Sequence, residues 1–355
     1  MSAALPAAEL DATTRRLLDL MQDHFPLVER PYEALGEQLG ISEQEALRLL
    51  GQARNTGVIR QICAIYDSRA LGYSSALVAM HIQPEHLERA VRVLNAHPGV
   101  SHNYLRNHEF NVWFTIAMPP GTDLSEVVQR LHELARAEST RPMPTLHLFK
   151  IAVSLDMSGD RAADERSAPE YTQERRERAA DYGISERDIA FIRATQGDLP
   201  DVAEPFAALG ASIDMTGAEV VAHGARMIER GQMRRFAGII NHRRAGFRAN
   251  GMAVWAVPPD RIRAFGDLVA GYRNVSHCYQ RPTYPDWPYS VFSMLHSGTV
   301  AGVEEVAAAI SRDTGVTDFG ILFSTTEYKK VRLMYFIPEY EQWEALCSAA
   351  AEEPA

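Results

Sequence analysis

The sequence predicts an α+β protein of two tandem units, each a winged helix-turn-helix followed by a ferredoxin-like βαββαβ domain. Three observations lead there. First, an internal repeat halves the chain of 355 residues: Val100-Ser101-His102-Asn103-Tyr104-Leu105-Arg106 returns as Val275-Ser276-His277-Cys278-Tyr279-Gln280-Arg281. Second, Gly57-Val58-Ile59-Arg60 returns as Gly231-Gln232-Met233-Arg234, and Leu148-Phe149 as Leu322-Phe323, in the same order and at the same spacing to within one residue. Third, in each half a stretch of helical period precedes one in which strands and helices alternate.

In the first half Leu17, Leu18 and Met21 share one helical face. A short helix after Pro31 ends at Gly40. Ser42 caps the next helix, with Glu45 at capping-box spacing and Leu47 and Leu50 facing inward. Gly57 stops it, and residues 60–66 are β-rich. The second half repeats this more weakly over 205–209, Gly210, 216–230 and Gly231. The alternating stretch reads as a strand at 76–82, a helix at 85–95, a hairpin of 100–106 and 111–118, a helix at 123–137 and a closing strand within 144–155. This order sets both helices on one face of an antiparallel sheet and leaves the other face for a partner or a ligand. The expected bounds are 1–65 and 66–156 for the first pair of domains, 157–182 for a charged linker, and 183–247 and 248–355 for the second pair.

Composition narrows the function. Hydrophobic residues make up 46%, which is globular rather than disordered. Lys and Arg number 36 against 46 Asp and Glu, a formal net charge of −10, where DNA-binding proteins usually show a basic face. The would-be recognition helices are balanced: Glu43, Glu45, Arg48 and Arg54 in one, and Glu219, Arg226, Glu229 and Arg230 in the other. Groove-reading helices present Arg, Lys, Asn or Gln near their first turn, so DNA is not an expected partner. No apolar run reaches the roughly 20 residues of a membrane helix. No basic segment leads into an apolar one at the start, and a cytoplasmic location is expected. Cys63, Cys278 and Cys347 stand far apart without a CxxC, which offers neither a disulfide framework nor a metal cluster.

Alternate residues of a strand face the same side. His102, Tyr104, Arg106 and, if the strand continues, His108 therefore project together, as do His277, Tyr279 and Arg281. Leu or Val would fill such positions in a buried apolar strand, so this face is either solvated or a site. Past its arginine the second unit departs, with Pro282, Pro285 and Pro288 and no counterpart of His108; Trp287 is placed as the mirror of Trp113.

A winged helix before a βαββαβ domain resembles the Lrp/AsnC transcription factors, most clearly over Tyr32-Glu33-Ala34-Leu35-Gly36-Glu37-Gln38-Leu39-Gly40-Ile41-Ser42. A narrower resemblance covers nearly the whole chain. His102-Asn103-Tyr104-Leu105-Arg106-Asn107-His108 with Asn111-Val112-Trp113-Phe114-Thr115 is similar to the signature of the siroheme decarboxylases. Leu148-Phe149-Lys150-Ile151, Tyr328-Lys329-Lys330-Val331-Arg332, Arg234-Arg235-Phe236 and His242-Arg243-Arg244-Ala245-Gly246-Phe247 look like that family too. Its two related subunits occur separately or fused, and the fused form resembles the type of heme d1 biosynthesis, separate subunits being typical of the alternative heme route.

The resemblance implies a carboxy-lyase that removes CO2 from the acetate side chains at ring positions 12 and 18 of siroheme, giving 12,18-didecarboxysiroheme. Such chemistry needs cations for carboxylates, a flat apolar slot and a proton donor. The candidates for catalysis are His102, His108, His277, Tyr104 and Tyr279. Those for substrate binding are Arg106, Arg281, Trp113, Lys150, Arg234, Arg235, His242 and Lys329. Adjacent lysines point to opposite faces, so at most one of Lys329 and Lys330 faces a given pocket. Whether a histidine donates the proton or ligates the substrate's iron axially stays open at this point. No added cofactor is implied, since the iron arrives in the substrate. Expected partners are siroheme, the two halves as a pseudo-dimer, and a homodimer. Two other classes remain: a ligand-responsive Lrp/AsnC-type regulator, and a haem-binding sensor or carrier.

Overall fold

The computed structural model describes residues 11–151, 182–240, 249–272 and 274–343. In chain order the first half holds α1 (Ala12–His24), α2 (Pro31–Leu39), α3 (Glu43–Asn55), β1 (Ile59–Tyr66), β2 (Ser74–His81), α4 (Leu87–Ala96), β3 (Val100–Arg106), β4 (Val112–Met118), α5 (Leu124–Ala135), β5 (Ser139–Pro144) and β6 (His147–Ile151). The second half holds α6 (Glu186–Thr195), α7 (Pro205–Gly210), α8 (Gly217–Glu229), β7 (Met233–Ile240), β8 (Ala249–Trp255), α9 (Ile262–Ala270), β9 (Val275–Gln280), β10 (Val291–Ser297), α10 (Val300–Thr314), β11 (Phe319–Leu322) and β12 (Ser324–Lys330). The repeat does not fold half by half. One compact unit comprises Met1–Leu71 with Ala152–Arg248, the other Gly72–Ile151 with Ala249–Ala355. Like parts of the two halves are thus gathered together. Of the expected linker, 157–181 lies outside the described residues.

The first unit contains both winged helix-turn-helix parts. The Asp11 carboxylate accepts from the Thr14 amide at 2.8 Å and caps α1, which buries Leu17, Leu18 and Met21. Gly40 ends α2 at φ +70°, a conformation that costs glycine little. Ser42 caps α3 by accepting from the Glu45 amide at 3.2 Å. In the second half Thr216 and Glu219 form a reciprocal capping box on α8, and Ser185 and Asp188 form another on α6. Helix α6, which buries Phe191 and Ile192, was not separated by the sequence pattern. Strands β1 and β7 pair antiparallel with Cys63 opposite Ala237, so one ladder ties the two winged parts together.

The second unit contains two five-stranded sheets, in the orders β12-β3-β4-β2-β5 and β11-β8-β10-β9-β6. Four strands of each keep the ferredoxin-like order, and the fifth comes from the other half. This corrects the expectation that residues 144–155 close the first sheet. That place is taken by β5, an edge strand whose Pro142 and Pro144 hide it from a strand pattern. Strand β6 crosses to β9, and β12 returns the exchange on β3. The crossing is tightly built: a Cβ added to Gly266 of α9 would lie 2.4 Å from the Phe149 ring of β6.

The helix-free faces of the two sheets meet. Ala79, Phe110, Trp113 and Met143 of the first half pack with Met252, Val254, Trp287, Phe292 and Leu322 of the second. Burying a large apolar side chain contributes about 1.5–3 kcal/mol, so this shared layer makes the halves one core. Among the described residues no helix is long and apolar enough to cross a membrane.

Candidate active site

Register places the repeated motif. On the helix-free face of the first sheet one row runs Lys330, His102, Thr115, Leu77, Met143, and the next runs Glu327, Tyr104, Trp113, Ala79, Arg141. The matching rows of the second sheet are Ile151, His277, Met294, Met252, Leu322 and Leu148, Tyr279, Phe292, Val254, Gly320. Paired residues of an antiparallel ladder share a face, so His, Tyr and the inter-sheet core lie side by side in both halves. Asn103 points the other way, is fully buried, and donates to Asn95 Oδ1 of α4 at 3.0 Å.

The histidine and tyrosine rings repeat their geometry. His102 and Tyr104 have ring centroids 6.1 Å apart at 31°, and His277 and Tyr279 6.0 Å apart at 31°. In each half the preceding serine hydroxyl contacts Nδ1 of the histidine, at 3.0 Å from Ser101 and 2.8 Å from Ser276. The surroundings then differ. Ser101 also bonds the Thr115 hydroxyl at 2.8 Å, whereas Ser276 bonds His296 Nε2 at 2.7 Å. In both halves the register shifts at that serine, between Val100 and His102 and between Val275 and His277, which turns it toward the histidine.

The two arginines lie where the chain crosses between sheets. Arg106 donates from Nη1 to the Leu322 carbonyl at 2.7 Å, and Arg281 donates from Nη1 to the Met143 carbonyl. They are 7% and 9% exposed. Each guanidinium sits over its tyrosine, 5.6 Å from the Tyr104 centroid and 5.0 Å from that of Tyr279. Burial lowers both pKa values to about 10, so both are cations at neutral pH. No carboxylate bonds either one among the described residues, and the Nε of each is buried without a hydrogen-bond partner. Two uncompensated buried charges are costly in a folded core and favour an anion beside them.

The other candidates are spread more widely. Strand β3 ends at Arg106, so His108 leaves the face and lies in the following turn. Its Nδ1 accepts from the Phe110 amide at 3.0 Å, and its ring meets Trp287 at 5.2 Å. Burial lowers its pKa. Trp113 donates to the Phe110 carbonyl at 2.6 Å and packs 5.2 Å from Trp287. Trp287 is therefore a partner of Trp113 in one cluster and not its mirror; by register that place belongs to Phe292. The loop bearing Trp287 is fixed by a reciprocal pair of backbone bonds between Tyr284 and Trp287 and by the Arg141–Asp286 ion pair at 2.5 Å.

Lys150 and Lys329 lie on the helical side of their sheets, away from the motif. Lys150 Nζ donates to the Tyr272 carbonyl at 2.8 Å, and Lys329 Nζ to those of Asn95 at 2.8 Å and His97 at 3.0 Å. Both serve as clamps at helix C-termini, where a cation is favoured; the Tyr272 and His97 carbonyls also accept from the Val275 and Val100 amides. A bulge between Glu327 and Lys329 sets Lys330 opposite His102, a residue that alternation counted from Glu327 would have passed over. Arg234 and Arg235 belong to β7 of the other unit, where Arg234 Nη2 meets the buried Asp67 carboxylate at 3.0 Å. His242 lies outside the described residues. No group of three or more His, Cys, Asp or Glu suited to a metal gathers among the described residues.

The AsnC-like ligand binding domain matches residues 70–150 and 244–329, and the siroheme decarboxylase NirDL-like HTH domain matches 14–60 and 188–234. The siroheme decarboxylase of Hydrogenobacter thermophilus is 37% identical over 329 residues, 92% of this chain and 96% of that protein. The chain belongs to the siroheme decarboxylase family. The family's solved structures include NirDL in complex with an iron-uroporphyrin III analogue, which superposes with a TM-score of 0.76 at 32% identity over 96% of this chain and all of the other. A siroheme decarboxylase beta subunit of Methanosarcina barkeri is 39% identical over 147 residues, 41% of this chain and 97% of that subunit. One half of this chain thus corresponds to a whole separate subunit, and the strand exchange shows the halves paired as a pseudo-dimer.

Proposed function

We propose that this protein decarboxylates siroheme, replacing the carboxylates of the acetates at ring positions 12 and 18 by hydrogen, as a step of heme d1 biosynthesis. The observation that carries the reading is the duplicated face: His and Tyr at the same separation and tilt in both halves, each pair beside a buried guanidinium that has no carboxylate partner among the described residues. The relative with an iron-uroporphyrin III analogue bound supports a carboxylate-bearing tetrapyrrole as ligand.

The chemistry needs little beyond these groups. The bond between the acetate methylene and its carboxylate breaks, CO2 leaves, and the electron pair stays on the methylene carbon. That carbon takes one proton and becomes a methyl group. His102 and His277 are assigned as proton donors, each oriented by its serine on Nδ1. Tyr104 and Tyr279 hold the reacting carboxylate or pass the proton. Arg106 and Arg281 supply positive potential for the carboxylates that remain. The aromatic and methionine layer between the sheets offers apolar surface to the macrocycle. The iron is part of the substrate, and no further cofactor enters.

This reading assigns no role to DNA. Arg48 is paired with Glu45 at 2.6 Å, and Arg54 with Asp198 and Asp201 at 2.5 and 2.9 Å. These cations of α3 are already neutralised by the protein's own carboxylates. The test is anaerobic incubation of the purified protein with siroheme and measurement of CO2. Two equivalents per siroheme support the proposal. A shifted absorption spectrum without CO2 would make the protein a haem-type carrier or sensor instead.

A further inference from the structure

The two motif faces share His and Tyr but not their neighbours. On each face the strand flanking the motif is the one given by the other half. Beside His102 and Tyr104, strand β12 brings Lys330 and Glu327. Beside His277 and Tyr279, strand β6 brings Ile151 and Leu148. The opposite flank follows suit, with Thr115 beside His102 and Met294 beside His277. Residues directly opposed across an antiparallel ladder have Cβ atoms roughly 4.5–5.5 Å apart, so these substitutions alter the reacting groups' immediate surroundings.

The bulge in β12 makes the difference. Without it, plain alternation would carry Lys329 onto the face of Glu327. With it, Lys329 turns to the α4 carbonyls, and Lys330 comes to the motif face with Nζ 3.9 Å from Glu327 Oε2. The Lys330 side chain is 40% exposed. Strand β6 also carries a bulge, between Leu148 and Lys150, and there the residue brought opposite the histidine is Ile151. The same backbone device thus presents a cation in one half and an aliphatic side chain in the other.

We propose that Lys330 is a carboxylate-binding, specificity-determining residue of the His102 face, and that the His277 face makes no such contact. This rests on the siroheme reading. The two faces then receive unlike edges of one tetrapyrrole: the His102 face an edge with an additional carboxylate for Lys330, the His277 face an edge that buries against Ile151, Leu148 and Met294.

The test uses the full chain with Lys330→Met, Lys330→Arg and Glu327→Gln. Iron-uroporphyrin III is titrated by absorption, and siroheme turnover gives KM and kcat separately. An exposed charge pair is worth at most about a fivefold change in affinity, and that rise in Kd and KM is expected for Lys330→Met with kcat within about twofold. Lys330→Arg restores affinity, and Glu327→Gln does not weaken it, since an opposing carboxylate is removed. Unchanged Kd and KM in Lys330→Met, or no rescue by Lys330→Arg, overturns the proposal alone. A wild-type protein that neither binds the probe nor turns over siroheme overturns the siroheme reading, and this proposal with it.

Discussion

Arg106 donates to the carbonyl of Leu322, the last residue of a strand in the opposite sheet, 216 positions away in sequence. Arg281 makes the mirrored bond to Met143. Each arginine grips the point at which the chain leaves one sheet for the other, and each carries a charge that no carboxylate balances among the described residues. The guanidinium that fastens the strand exchange is also the cation over the tyrosine of the repeated motif.

This dual role separates two outcomes for Arg106→Met. A neutral side chain of similar length loses one hydrogen bond to a carbonyl but also removes a buried charge. We expect unfolding free energy in urea to change by no more than about 2 kcal/mol, while affinity for iron-uroporphyrin III falls at least about tenfold, the scale of a lost charge-assisted contact. A purely structural arginine would show the reverse, with unchanged affinity and lost stability.

Lys329 is the counter-case. It bonds the carbonyls of Asn95 and His97 at the end of α4, and burial lowers its pKa. Lys329→Met should cost about 1–3 kcal/mol in urea unfolding, as the Asn95 and His97 carbonyls lose a charged donor. KM for siroheme should stay at the wild-type value. A raised KM with unchanged stability would place Lys329 at the substrate after all.

His97 sets a pH dependence. It is fully buried, its Nδ1 accepts from the Gly99 amide at 2.9 Å, and its ring packs 4.2 Å from Trp343. Burial, with the nearby Lys329 cation, lowers its pKa from 6.5 to about 3. The unfolded chain takes up this proton near pH 6.5 and the folded chain only near 3. Stability is therefore whole above pH 6.5 and declines as the pH falls toward 3, by about 2 kcal/mol at pH 5. His97→Asn keeps an acceptor for Gly99 and should remove that part of the decline between pH 7 and pH 5. An equal decline in both proteins would assign it to other groups.

The helix-turn-helix parts should give no steep salt dependence with DNA. A protein that neutralises several phosphates loses affinity linearly in log salt. Here Arg48 and Arg54 are held by Glu45, Asp198 and Asp201. Electrophoretic mobility or anisotropy with duplex DNA at 50 and 200 mM salt should show weak binding that barely changes, and a slope of several units would restore the regulator reading.

Much of this was legible in the sequence because it is local. The caps at Ser42 and Thr216, the αL turn at Gly40 and the hairpin of β3 and β4 follow from neighbouring residues. The duplicated motif was equally legible, since a strand's alternation requires no tertiary information. What escaped is non-local. The pairing of β6 with β9 and of β12 with β3 depends on which half offers an open edge, which no window of sequence contains. The prolines of β5 masked an edge strand. The bulge before Lys329 reversed the two lysines, because one extra residue flips every side chain beyond it to the other face.

Mass spectrometry of the tetrapyrrole after anaerobic incubation decides whether the paired His–Tyr faces remove CO2 from siroheme. The expected product from the wild-type protein is lighter by two CO2, with the rate lowered about 10²–10⁴-fold when His102→Gln or His277→Gln removes a proton donor. Siroheme recovered with its mass unchanged from the wild-type protein, or loss of both CO2 at full rate from the double variant, would contradict it.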